Sequence, residues 1–336
     1  MSQDLSKAFS GFLVQVEKKM LDEMKGPKKK VIVLSGPTGV GKTQFSIELA
    51  KQINCEIVSA DSMQVYRELN IGTAKPTKEQ QRQVPHHLID IRNISDHFNV
   101  VDFCYEAHRC CEEILSREKI PLVVGGSGFY LHSFLYGPPS GPPPSPELRT
   151  SMEDEIEEKG IDFLFQRLKS LDPQYASTIT NKDRQKIIRG LEIITLSGQK
   201  VSKISWKGKK IPQNFDFQCW FLHRPKDVLY PRIEKRCDAM IAEGILDETK
   251  KYKEEIEKNS SVAHAIGYLQ ALDYLKSAQT EEDYENFEMK FKQASRRYAK
   301  RQLTWFRKEP LFRWLDMEMH DPEIALDMVS RDSEGN

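Results

Sequence analysis

Gly36-Pro37-Thr38-Gly39-Val40-Gly41-Lys42-Thr43 follows the apolar run Val31-Ile32-Val33-Leu34 and opens a helically spaced stretch near 42–53. The spacing fits G-x-x-x-x-G-K-[ST] between a strand and a helix. Glycines there let backbone N–H groups turn inward around phosphate oxygens, and the helix directs its positive end at the same anion. Lys42 can neutralise a bridging or terminal oxygen, and Thr43 can ligate Mg²⁺. A strand, a phosphate loop and a helix in that order belong to an α/β layout.

The rest of the chain extends the pattern. Glu56-Ile57-Val58-Ser59, Leu88-Ile89-Asp90-Ile91 and Leu122-Val123-Val124 are short apolar runs, the last preceded by a helical stretch near 100–117. Continuous apolar strands separated by helices predict a parallel sheet covered on both faces. Gly137 to Pro146, rich in Pro, Gly and Ser, can neither continue a helix nor pair in a sheet and marks an exit from the core. Residues 147–200 then read as charged and helical, Phe215 to Leu222 as a strand returning to the sheet, and 226–307 as mostly helix.

The expected architecture is α/β, a P-loop parallel-sheet core flanked by helices, with an inserted mostly helical domain. A length of 336 residues suits two domains. The expected parts are an N-terminal helical extension (1–29), the first part of the core (30–140), the inserted domain (141–205), the second part of the core with basic helices (206–315) and a fraying acidic tail (316–336). In the extension Phe9, Phe12, Leu13, Val16, Met20 and Leu21 fall at helical spacing, while Asp4, Glu17, Asp22 and Glu23 are acids that organellar transit peptides usually lack.

Composition narrows the function classes. Lys+Arg 50 balances Asp+Glu 50, so any polyanion site is local. No apolar run reaches the roughly 20 residues of a membrane span, and no secretory apolar segment follows Met1, so a soluble cytoplasmic protein without a membrane partner is expected. The six cysteines form no C-x-x-C pair and read as reduced, buried thiols.

The phosphate loop leaves its ligand open among a triphosphate to be hydrolysed, ATP as phosphoryl donor in a kinase, and a diphosphate that leaves. Leu122-Val123-Val124 runs into Gly125-Gly126-Ser127 without the acid with which ATP-hydrolysing proteins usually hold their metal. Asp61, just beyond Glu56–Ser59, stands at the carboxyl end of a strand, where ligands of open α/β sheets bind. It is the best candidate for catalysis, the plainer alternative being a helix cap. Gly125 to Tyr130 again follows a strand and opens a helix, so its amides and the Ser127 hydroxyl can face the same anion.

Two segments are strongly basic. Phe287–Arg313 carries Lys290, Lys292, Arg296, Arg297, Lys300, Arg301, Arg307, Lys308 and Arg313, interleaved with Tyr298, Trp305 and Phe306, and a second run of lysines and arginines spans Lys182–Lys210. In a chain of zero net charge such segregation favours a polyanion partner, and aromatics beside guanidiniums suit splayed single-stranded bases in an RNA loop. The plainer reading is a solvated helical face.

Together with the phosphate loop, Asp61–Tyr66, Ile71–Pro76, Pro85–Asp90, Gly125–Tyr130, Arg189–Glu192, Ile266-Gly267-Tyr268 and Ala299–Arg307 make the chain resemble the bacterial tRNA dimethylallyltransferase (tRNA isopentenyltransferase) family from about 31 to 307. The resemblance implies transfer of a dimethylallyl group from dimethylallyl diphosphate to N6 of the adenosine 3′ of the anticodon, in tRNAs reading codons that begin with U. It implies a monomer with Mg²⁺ as cofactor and the tRNA anticodon stem-loop as partner. Asp61 would take the N6 proton, while Lys42, Ser127, Arg236 and Thr43 with Mg²⁺ would offset charge on the diphosphate held by Gly36–Thr43. Asp61, Ser62, Met63, Gln64, Ser127, Arg149, Gln185, Lys186, Ile187, Ile188, Arg189, Lys300, Arg301 and Arg307 would contact tRNA. Arg232, one turn before Arg236, reads as an intrahelical partner of an acid and is not assigned to catalysis. Lys186, Gly190, His264 and Leu269 depart from the usual family residues, which bears on tRNA affinity.

The competing readings are an adenylate isopentenyltransferase acting on free AMP, ADP or ATP, a P-loop kinase, and a non-catalytic tRNA-binding protein. A mononucleotide needs neither the inserted segment nor the basic helix, and a mere binder leaves Asp61 and the phosphate loop unexplained.

Overall fold

The computed structural model describes residues 28–139, 141–204 and 215–334. Residues 1–27 of the expected extension, and Lys207, Lys209 and Lys210 of the second basic run, lie outside that set.

Strands β1 (Lys29–Ser35), β2 (Cys55–Ser59), β3 (His86–His87), β4 (Ile120–Gly125), β5 (Phe215–His223) and β6 (Phe312–Asp316) pair in parallel in the order β3-β2-β4-β1-β5-β6. Val31, Ile32, Val33 and Leu34 of β1 are fully buried, which is why that run carries no polar alternation. Each such side chain contributes roughly 2 kcal/mol of burial. Helices α1 (Lys42–Gln52), α2 (Val100–Leu115) and α3 (Gly128–Tyr136) lie between the early strands. Asn99 starts α2 with a capping box, its side chain accepting from Val101 and Asp102 N–H.

The chain divides into two compact units, Met1–Leu135 with Pro212–Asn336, and Tyr136–Ile211. In the second, helices α4 (Pro146–Lys159), α5 (Ile161–Leu171) and α6 (Arg184–Ser197) bury Met152, Ile156, Leu164, Leu168, Ile187 and Leu191 together. The first unit continues after β5 with α7 (Lys226–Ala242), α8 (Ile245–Lys251), α9 (Tyr268–Lys276), the 26-residue α10 (Glu281–Phe306) and, after β6, α11 (Pro322–Glu334). Helix α10 begins at the capping box of Thr280 and Asp283 and buries Phe287, Phe291, Ser295, Ala299, Gln302 and Phe306, a stripe at steps of three and four. The same periodicity leaves Lys300, Arg301 and Arg307 exposed.

Two expectations are corrected. Leu88–Ile91 is not a strand: Leu88 and Asp90 adopt left-handed backbone at φ 62 and 58, and His86–His87 takes the sheet pairing with Ile57 and Val58. Its apolar residues, Leu88 at 3% and Ile89 at 9% exposure, anchor a loop instead. Through residue 334 the acidic tail does not fray. Phe312–Asp316 adds the sheet's edge strand beside β5, and α11 packs on α1 with Ala325 and Val329 fully buried, an apolar pair at i,i+4 outweighed in composition by its acids.

Candidate active site

Three adjacent strands end at one place. The phosphate loop leaves β1, Asp61 follows β2 by two residues, and Gly125-Gly126-Ser127 leaves β4, each at a carboxyl end. These ends are held close: Ser35 Oγ donates to Gly125 O at 2.9 Å, and a Cβ on Gly125 would lie 2.2 Å from Ala60 O. Glycine is required there by backbone approach. Gly39 is required by a φ of +80 and by Ile233 of α7, 2.8 Å from where its Cβ would stand.

A cavity of about 820 Å³ opens over these ends, lined by Lys42, Thr43, Asp61, Ser127, Arg236 and Arg301 among others. It therefore gathers the four residues expected to be catalytic, Asp61, Lys42, Ser127 and Arg236, and Thr43 expected at the metal. Of the phosphate loop, Thr38, Gly39, Gly41, Lys42 and Thr43 line it; Val40 is buried. Ser62, Met63 and Gln64 line it as well.

The charges interact. Lys42 Nζ donates to Gly36 O at 2.7 Å and to Pro37 O at 3.0 Å. Its pKa is lowered to about 7, first by burial and then by the Arg236 guanidinium, with Asp61 opposing. Lys42 is half-buried and lines the cavity. Arg236 is pulled down in the same way by burial and partly restored by Asp61. Asp61 Oδ1 accepts from Met63 N–H at 2.8 Å and Gln64 N–H at 3.3 Å, a turn that sets the direction of the carboxylate. Gln64 is oriented by Ser59, whose Oγ donates to Oε1 at 3.0 Å, and its Nε2 lies 3.4 Å from both Thr73 O and Ala74 O. Two cations facing one carboxylate in a concave, half-polar space can hold a diphosphate beside a general base.

Several cavity residues escaped the sequence reading. Arg232 is one correction: Nε donates to Gly39 O at 3.0 Å, so it braces the phosphate loop and is not tied to an intrahelical acid. Arg224 Nε does the same for Val40 O at 3.1 Å. Tyr298 lines the cavity, its pKa raised by burial and then by Asp61. Gln302 also lines it, and the one available signal was a polar residue at a buried step of the α10 stripe.

The Tyr136–Ile211 unit holds Arg149, Gln185, Lys186, Ile187, Ile188 and Arg189 of the expected tRNA contacts. Gln185 and Lys186 are exposed at the start of α6. Ile187 and Ile188, at 0% and 5% exposure, have core side chains, so a contact of theirs with a ligand would run through the backbone. Arg149 grips the buried Glu192 with Nε and Nη2 at 2.8 and 3.0 Å, while Arg189 donates to Glu192 and, at 2.8 Å, to Pro142 O. Both arginines therefore brace the unit with their side chains still partly accessible. Gly190 is glycine because a Cβ would meet the Tyr175 ring at 2.8 Å.

A phosphate-loop core with a carboxylate and two partly buried basic side chains over the sheet's carboxyl edge can serve group transfer from a phosphorylated donor. The family model described as IPP transferase matches residues 64–309, and the chain belongs to that family of prenyl-transferring enzymes. A tRNA dimethylallyltransferase of Protochlamydia amoebophila (strain UWE25) is 57% identical over 334 residues, 99% of this chain and 97% of that one. The crystal structure of the full-length tRNA isopentenylpyrophosphate transferase from Bacillus halodurans is similar at TM-score 0.67 and 36% identity, covering 91% of this chain and 96% of the other. A eukaryotic dimethylallyltransferase captured acting on tRNA has TM-score 0.67 and 29% identity, covering 91% and 76%. Among the described residues no helix is long and apolar enough to cross a membrane.

Proposed function

We propose that the protein, in the cytoplasm, transfers a dimethylallyl group from dimethylallyl diphosphate to N6 of the adenosine 3′ of the anticodon, in tRNAs reading codons that begin with U. The observation that carries this is the single cavity joining the phosphate loop, Arg236 and Asp61. The membership of the IPP transferase family supports it.

The exocyclic amine is a poor nucleophile because its lone pair is delocalised into the ring, so the leaving group must be made good and the amine proton removed. As the allylic C–O bond breaks, negative charge grows on the diphosphate, and Lys42 and Arg236 offset it from within a partly dehydrated site. The C–N bond forms at the allylic carbon, and the amine proton passes to Asp61. We assign it to Oδ2, since Oδ1 is engaged by the Met63 and Gln64 amides. Extruding the adenine costs a few kcal/mol, least in an unpaired loop.

Mg²⁺ suits this donor set. It keeps waters and takes substrate phosphate oxygens with one or two protein oxygens, and the Thr43 hydroxyl stands beside Lys42 on the cavity wall. When bound it supplies further charge neutralisation at the diphosphate. Lys300, Arg301 and Arg307, and separately Gln185, Lys186, Arg149 and Arg189, are the groups proposed to meet the anticodon stem-loop.

The test is a prenyl-transfer assay with Mg²⁺ and dimethylallyl diphosphate, offering unmodified tRNA beside AMP and ATP and locating any C₅H₈ mass gain. Gain on the anticodon-loop adenosine is expected. Gain on the mononucleotide alone, or none on either, overturns the reading.

A further inference from the structure

We propose that Gln302 is a positioning residue for the diphosphate: one buried side-chain amide sets the peptide planes of both glycine loops that face the anion. Gln302 is 4% exposed. Its Oε1 accepts from Thr38 N–H at 2.9 Å, and its Nε2 donates to Gly126 O at 2.8 Å. A polar group buried on an otherwise apolar stripe is costly unless satisfied, and here both ends of the amide are.

The peptide unit is planar and trans, so its N–H and C=O point in opposite directions. Turning Thr38 N–H to Gln302 turns Pro37 C=O the other way, where it accepts Lys42 Nζ at 3.0 Å. Turning Gly126 C=O to Gln302 turns Ser127 N–H away from Gln302. The resting place of the phosphate-loop lysine and the direction of the Ser127 amide thus depend on the same side chain. The fit is close: a Cβ on Gly126 would lie 2.3 Å from Gln302 Nε2. Because Gln302 follows Arg301 on α10, the helix proposed to meet tRNA is bonded directly to both phosphate-facing loops.

The inference rests on the proposed function only for the name of the donor, so it is tested with inorganic pyrophosphate as well as with turnover. Gln302→Met removes both bonds at similar volume. Gln302→Glu keeps the acceptor for Thr38 and loses the donor for Gly126, and Gly126→Ala disturbs the same bond from the loop's side. Calorimetric affinity for pyrophosphate with Mg²⁺ is expected to fall about tenfold or more in Gln302→Met, roughly the loss of two hydrogen bonds. The KM for dimethylallyl diphosphate should rise by a similar factor, with tRNA affinity within about twofold of wild type. Gln302→Glu and Gly126→Ala should move the same two quantities in the same direction. A lowered melting temperature with pyrophosphate affinity and KM unchanged in all three overturns the proposal. Loss of pyrophosphate affinity in a protein whose wild type transfers no prenyl group supports it while removing the prenyl-transfer reading.

Discussion

The Tyr268 hydroxyl donates to Glu248 Oε1 at 2.7 Å, and that buried carboxylate also accepts the backbone N–H groups of Asn70, Ile71 and Gly72 at 2.8, 3.0 and 3.0 Å. The segments Ile71–Pro76 and Ile266–Tyr268 are thereby joined through a residue that belongs to neither. A Cβ on Gly72 would stand 2.5 Å from the Tyr268 ring, so the loop lies flat against it. Thr73 and Ala74, next along, face Gln64 on the cavity wall. Glu248→Ala leaves three partly buried N–H groups unpaired and is expected to cost about 3 kcal/mol, against about 1 kcal/mol for Tyr268→Phe. Urea unfolding midpoints measure both, and equal midpoints for the two variants would contradict this ranking.

Asp61→Asn keeps an oxygen to accept from Met63 and Gln64 but loses the proposed base. Turnover should fall by about 10²–10⁴ with affinity for tRNA and pyrophosphate nearly unchanged. Near-normal single-turnover rates would remove Asp61 from proton transfer.

Lys42, lowered to about 7 chiefly by burial, is largely neutral above that pH in the free protein. A bound diphosphate favours its charged form, so binding above pH 7 takes up a proton and affinity falls as pH rises. Calorimetry at pH 8 in buffers of different ionisation enthalpy should show this uptake beyond that of the ligand itself. It should vanish in Lys42→Met.

Glu56 is 4% exposed, and burial alone would raise its pKa. Hydrogen bonds from Arg117, His87 and Lys119 prevail and hold it at about 2, below its ordinary 4.5. A folded-state value below the unfolded one stabilises the protein above pH 4.5, and that contribution, about 3 kcal/mol, is lost as pH falls toward 2. Glu56→Gln should flatten stability against pH across that window in acid-titrated urea melts.

Removing charge at Lys300 or Arg307 should weaken tRNA binding and reduce the slope of log affinity against log salt by about one per lost phosphate contact. An unchanged slope in the double variant would place the tRNA elsewhere.

The phosphate loop and its flanking strand and helix were legible because their physics is local. Glycine spacing, Lys42-Thr43 and one apolar run specify them without reference to the rest of the chain. Asp61 was legible from its place after β2. The family resemblance supplied Arg236, which periodicity alone would have left on a charged helix. Leu88–Ile91 misled because an apolar run anchors a loop as well as it builds a strand, and only the left-handed residues Leu88 and Asp90 distinguish the two. Ile187 and Ile188 lay inside a motif of polar neighbours, yet the helical turn sends them into the core.

By itself, then, the sequence determined the parallel α/β core and the glycine-rich loop with Lys42 and Thr43, since each depends on neighbours a few positions away. The tertiary structure decided which carbonyl Arg232 braces, which peptides Gln302 orients, what Glu248 ties down, and that the acidic tail packs a helix on α1. Those contacts join residues up to 264 positions apart, as in Thr38 with Gln302. No local propensity encodes such pairings; they follow from where the packed strands and helices place each side chain.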